Sequence, residues 1–150
     1  MKGNYSFGTN SKNNLNTCHP DLIKVMEMAI KYSIVDFGIS EGHRILERQK
    51  QLYDKGLSRI DGVNSKGKHN MTPSMACDIY AYHPDYEMRK KIAYDHSHLA
   101  YISGIVNMCS EILYERKEIK HKVKNGGNWD EDGILMYDHN LIDLPHFELI

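Results

Sequence analysis

Two short segments of this chain carry the residue types that metal-assisted water chemistry uses. They are His69-Asn70-Met71-Thr72-Pro73-Ser74-Met75-Ala76-Cys77-Asp78 and Asp143-Leu144-Pro145-His146-Phe147-Glu148. Between them His69, His146 and Asp78 offer two imidazoles and a carboxylate able to hold one zinc ion. A catalytic zinc takes three protein ligands and keeps a fourth position open for water. A base must stand close enough to take a proton from that water, and Asp143, three residues before His146, is placed for it. Asp78 lies in a run of apolar and small residues, where a carboxylate is costly to bury unless paired or metal-bound. Singly, each of these residues reads as a cap or a hydrogen-bonding group, and nine histidines weaken an argument from any one of them. The set, rather than its members, points to a site.

The elements that would carry this set follow from periodicity. Residues 1–17, rich in Asn, Ser and Gly, read as a loosely ordered lead-in. His19-Pro20-Asp21 opens a helix with Leu22, Val25, Met26, Ala29 and Ile30 on one face. A strand over Ile34–Ser40 and a helix over Ile45–Lys55, closed by Gly56, come next. Leu57–Ser74 is polar, with Gly62, Gly67 and Pro73, and reads as a long loop with His69 near its end. Met75–Tyr82 alternates as a strand, with Ala76, Asp78 and Tyr80 on one face and Cys77, Ile79 and Ala81 on the other. A helical stretch over Tyr86–Glu115, broken near Tyr94–Ser97, a short strand at Ile119–Val123, a turn at Gly126-Gly127-Asn128-Trp129, an irregular stretch over Asp130–Asn140 and a closing strand at Phe147–Ile150 complete the chain. Helices and strands mix without a βαβ repeat, which predicts an α+β fold.

Composition narrows the function class. With 150 residues, 41% hydrophobic and 26% charged, the sequence is that of one ordinary soluble domain over residues 18–150. A formal net charge of -1 gives no basic field for nucleic acid, and no apolar run approaches the ~20 residues of a membrane span. The polar start, Met1-Lys2-Gly3-Asn4-Tyr5, lacks a signal peptide's apolar stretch, so cytoplasmic synthesis is expected. Cys18, Cys77 and Cys109 are odd in number, form no CxxC pair and read as buried thiols.

Five blocks, in order, resemble one family: Cys18-His19-Pro20-Asp21-Leu22 with Val35-Asp36-Phe37; Glu41-Gly42-His43-Arg44 with Glu47-Arg48-Gln49; Lys68-His69 through Asp78; Gly126-Gly127-Asn128-Trp129; and Asp143 through Glu148. The family is that of the zinc D,D- and L,D-peptidases of bacterial cell-wall peptides, which includes VanX- and VanY-type enzymes and phage L-alanyl-D-glutamate endolysins. The resemblance implies a small, mainly antiparallel sheet flanked by helices, the zinc fold shared with the Hedgehog signalling domain. It implies zinc on His69, Asp78 and His146, Asp143 as general base, and Arg44 beside the oxyanion. On the residues alone, a structural salt bridge for Arg44 stands equally open.

The phage-like blocks imply an endolysin that cuts the peptidoglycan stem peptide between L-Ala and D-Glu, as a monomer released to the wall through membrane holes made by another protein. A D-alanyl-D-alanine carboxypeptidase of the VanY type and a non-catalytic zinc module on the same fold are the alternatives. The chain departs from the family in four places. Eight residues separate His69 from Asp78, a longer interval than usual; Ser74 stands where a Gly is common; Gly67 stands where a Ser is common, with Ser65 two residues further back; and the 130–140 insert lengthens the approach to Asp143.

Remaining features have structural readings. Trp129 lines a cleft or anchors the core. Asp95-His96-Ser97-His98 is a helix boundary, His139 a surface-loop residue with the option of standing beside the site, and the basic run Glu115–Lys124 a solvated edge or a wall-adhesive stripe. Cys77, on the face opposite Asp78, belongs to the core.

Overall fold

The computed structural model describes residues 3–138 and 140–150. The elements run α1 (Thr9–Leu15), α2 (Pro20–Tyr32), β1 (Phe37–Glu41), α3 (Leu46–Asp54), a 3-10 turn (Lys68–Asn70), β2 (Ala76–Ala81), α4 (Tyr86–Ile92), α5 (His96–Glu115), β3 (Val123–Gly126) and β4 (Asp143–Leu149). The strands form one antiparallel sheet in the order β1-β2-β4-β3, so the fold is the α+β arrangement expected. α2 and α5 pack together and α5 lies across β2, β3 and β4. Leu22, Val25, Met26, Leu99, Ile102 and Val106 meet Cys77, Ile79 and Phe147 in the shared core. Strand alternation turns Cys77 and Ile79 into this core and leaves Asp78 on the opposite face. Among the described residues no helix is long and apolar enough to cross a membrane.

Three elements differ from expectation. The lead-in is not loose from Thr9 on. Ser11 Oγ accepts from the backbone N–H of Ile39 at 3.0 Å, and the Asn14 side-chain amide donates to the carbonyls of Ile39 and Ser40 at 2.9 and 3.1 Å. Phe7 packs edge-on against Phe37 with ring centroids 5.5 Å apart. The polar residues that suggest disorder serve the outer edge of β1, whose backbone groups have no strand partner on that side among the described residues.

Residues 119–122 are not a strand, and β3 begins only at Val123. The Asp21 carboxylate captures the N–H groups of Lys120 and His121 at 2.9 and 3.1 Å and the His121 ring at 2.9 Å, tying this segment to the start of α2. The closing strand begins at Asp143 rather than Phe147, which places His146 within it. The register of β4 against β3 slips between Asn125 and Gly126, an irregularity that accommodates Pro145. Buried Asn125 spans the slip, its amide donating to the carbonyls of Leu144 and His146 at 2.8 and 3.0 Å.

Candidate metal centre and its cleft

Adjacent strands bring two of the expected ligands together. Asp78 on β2 stands directly opposite His146 on β4, and cross-strand partners share a face of the sheet. His69 arrives from the 3-10 turn, where its carbonyl accepts from Arg44 N–H at 2.8 Å and the Asn70 side chain donates to the Arg44 carbonyl at 2.9 Å. The eight-residue interval between His69 and Asp78 is absorbed by an exposed bulge at Met71–Pro73. The chain then returns through Ser74, which exchanges backbone hydrogen bonds with Thr17 and His19.

The three donor atoms form a nearly equilateral triangle. His69 Nε2 lies 3.2 Å from Asp78 Oδ1 and 3.2 Å from His146 Nδ1, and His146 Nδ1 lies 3.1 Å from Asp78 Oδ1. Tetrahedral zinc with bonds of about 2.0–2.1 Å holds its ligands about 3.3 Å apart, so this donor set fits zinc. The rings are presented by their other nitrogens. His69 Nδ1 is 2.7 Å from the Gly42 carbonyl, which accepts only from N–H and leaves the Nε2 lone pair for the triangle. His146 Nε2 is 3.0 Å from Glu148 Oε2, so the proton belongs there and Nδ1 is free to ligate. The sequence alone assigns Glu148 no role. Its signal was the i, i+2 spacing that puts it on the same strand face as His146.

The electrostatics of the site are set by burial against pairing. Burial works against the Asp78 carboxylate, but hydrogen bonds from His146 and His69 outweigh it and hold Asp78 well below the usual range. Burial also disfavours the charged form of His146, yet its bonds to Asp78 and Glu148 win and push it up to about 9. A metal ion arriving at the triangle must therefore displace a proton from His146. Asp143 moves the other way, raised chiefly by burial, with the Asp78 charge adding to the rise and His146 opposing it.

Arg44 takes the salt-bridged arrangement. It pairs with Glu41, donates from Nη2 to the second oxygen of Asp78 at 3.3 Å, and from Nη1 to Gln49 at 3.1 Å. Buried Gln49, which belongs to one of the family-like blocks but has no role legible from sequence, reaches on to Ser58 Oγ and the Ile60 carbonyl at 2.8 and 2.7 Å.

These groups line a cleft of about 610 Å³ that includes Arg44, His69, Asp78, Trp129, Asp143 and His146. A second hollow of about 550 Å³ adjoins it through Glu41, Arg48, Asp78 and Asp143. Trp129 is a cleft residue, its ring 5.5 Å from that of His146. Two glycines permit this approach. A side chain at Gly126 would meet the Asp143 carbonyl and the Trp129 ring, and one at Gly127 would strike Leu144. Arg44 Nε and Trp129 Nε1 are buried in the cleft wall without a partner among the described residues.

Other sequence candidates lie elsewhere. Asp95 caps α5 and accepts from His98, as a helix boundary would. Ser65 sits in a turn organised by Asp61 and does not line the cleft. Cys77 is fully buried in the core. His139 lies outside the described residues. His19, Asp21 and His121 form a second group with ligand atoms in range of one another, which sequence reading did not single out. There Asp21 and His19 are already committed to backbone N–H groups.

A family model described as phage L-alanyl-D-glutamate peptidase matches residues 3–150. No curated protein matches the chain. Among solved structures, the crystal structure of the Serratia marcescens L-Ala D-Glu endopeptidase ChiX aligns with a TM-score of 0.73 and 26% sequence identity, over 97% of this chain and 90% of that one.

Proposed function

This chain belongs to the phage L-alanyl-D-glutamate peptidase family, and on that premise we propose that it hydrolyses the L-Ala–D-Glu bond of the peptidoglycan stem peptide with a zinc ion held by His69, Asp78 and His146. It is a hydrolase, a peptidoglycan peptidase. The observation that carries the metal assignment is the triangle of donor atoms 3.1–3.2 Å apart, with both imidazole tautomers fixed from behind.

Bound zinc would supply Lewis-acid polarisation of the scissile carbonyl and lower the pKa of a water near it. The remaining work falls to the chain itself. Asp143, shared by both halves of the cleft, takes the proton from the attacking water and returns it to the leaving amine. Its raised pKa improves the match between the two transfers. Arg44 is held rigid by Glu41, Gln49 and Asp78, so its positive charge is preorganised near the carbonyl oxygen where negative charge develops. Trp129 covers His146 and keeps bulk water from that side.

The proposal extends to a monomeric enzyme made in the bacterial cytoplasm and acting on the wall after release, without a nucleic-acid partner. The phage family and the near-neutral charge support it.

Mass spectrometry of purified peptidoglycan, incubated with zinc-loaded protein and with a chelated control, tests the reaction. New L-Ala C-termini and D-Glu N-termini that vanish with chelator are expected. Loss of a terminal D-Ala alone would reassign the bond, and no cleavage by zinc-replete protein would exclude the enzyme reading.

A further inference from the structure

The leaving side of the proposed bond carries a chemical handle that the site described so far does not use. D-Glutamate has two carboxyl groups, and its nitrogen is consumed in the scissile amide. Only one carboxyl can extend the stem, so the other stands outside the chain and, where it is not amidated, is ionised at neutral pH. It sits a few bonds from the reacting carbonyl, and a group that reads it must line the same cleft.

The cations of the larger half of the cleft differ in what they already hold. Arg44 is engaged by Glu41, Asp78 and Gln49. Lys68 donates to the Leu149 carbonyl at 2.9 Å and lies near Glu148. Arg48 faces Glu41 at 3.9 Å. Arg59 is exposed, lines the cleft, and has no ion pair or hydrogen bond from its side chain among the described residues.

Its backbone, by contrast, is well held. The residues on either side, Ser58 and Ile60, are both gripped by the buried Gln49 amide, and Ser58 Oγ also accepts from Ile60 N–H at 3.1 Å. The same Gln49 accepts from Arg44 through its Oε1, so one side chain ties the Arg59 loop to the site arginine. A guanidinium held at its base, with its fork uncommitted, is suited to a carboxylate.

We propose that Arg59 is the specificity-determining cation that recognises the free carboxylate of the glutamyl residue, so that the half of the cleft beneath Trp129 takes the D-glutamyl side of the substrate. This rests on the L-Ala–D-Glu reading above. The alanyl side then leaves through the adjoining hollow, where Asn14, Ser40, His43 and Tyr94 stand.

The test compares two synthetic stem peptides, one with the free glutamyl carboxylate and one with that carboxylate amidated, on zinc-loaded wild type, R59K and R59Q. Wild type should favour the acid, and R59Q should lose about tenfold of the acid-over-amide ratio in kcat/KM, mainly through KM, with R59K recovering part of it. Zinc content and melting temperature of R59Q should match wild type. An unchanged ratio in R59Q, no preference in wild type, or an equal loss on both peptides would overturn the assignment. Calorimetric binding of the D-Glu-terminated product peptide, acid against amide, reads the same contact without turnover. Absence of cleavage by wild type would defeat the reaction assigned above, while the binding arm would still decide on Arg59.

Discussion

Asp143 and Glu148 flank His146 on the same strand and are both carboxylates, yet their surroundings differ. Glu148 bonds to His146 at 3.0 Å and its pKa is lowered first by that bond, so it stays ionised and fixes the ring. Asp143 is raised by burial and opens onto both halves of the cleft, which suits the proton transfers proposed for it. D143A should keep zinc and fold but lose roughly 10²–10⁴-fold in kcat/KM, read by peptide hydrolysis alongside metal analysis. E148A should instead weaken zinc about 10–100-fold in competition with a chelator, with E148Q intermediate. The same titration carries a pH test. His146 in the metal-free protein is raised to about 9, so zinc must displace a proton at lower pH. Apparent affinity should climb with pH up to that value and flatten above it. A pH-independent affinity would remove His146 from the ligand set.

At the level of elements, the site depends on a lead-in that local composition suggests is loose and on strands that begin elsewhere than periodicity suggests. α1 covers the outer edge of β1, whose end at Glu41 and Gly42 holds Arg44 and His69. Asn125 fixes the β4 irregularity from which His146 projects. Asp21 ties residues 120–121 to α2 and so sets where β3 begins. D21A should cost about 1–3 kcal/mol, because two backbone N–H groups lose their acceptor, and should lower the melting temperature with little change in zinc affinity. Burial opposes the Asp21 charge, but its bonds to the His121 ring and the Lys120 and His121 N–H groups leave its pKa below the unfolded value. Its stabilisation is therefore present above the unfolded pKa and lost as pH falls through the lowered folded value. Melting curves of wild type should fall toward D21A in that acid range. Curves that stay parallel there would show that the strap carries no charge-dependent part.

Across the whole molecule, the proposed metal would join β2, β4 and the 3-10 turn, while the apolar core of α2, α5 and the sheet lies on the face of β2 opposite Asp78. Removing zinc should lower the melting temperature in proportion to its binding, yet leave the far-ultraviolet spectrum largely intact. Collapse of that spectrum on chelation would show that the metal is needed for the fold itself. Much of this arrangement was legible in the sequence. The apolar face of α2, the alternation of β2 and the break between α4 and α5 are local patterns, and period alone turns Asp78 away from Cys77. The resemblance of five blocks, with the family match, supplied the reaction class. Where α1 lies, where β3 and β4 begin, and what Gln49, Glu148 and Arg59 face required the folded chain. Each depends on a partner distant in sequence or on a polar side chain satisfying a backbone group elsewhere, and local composition carries no record of such contacts.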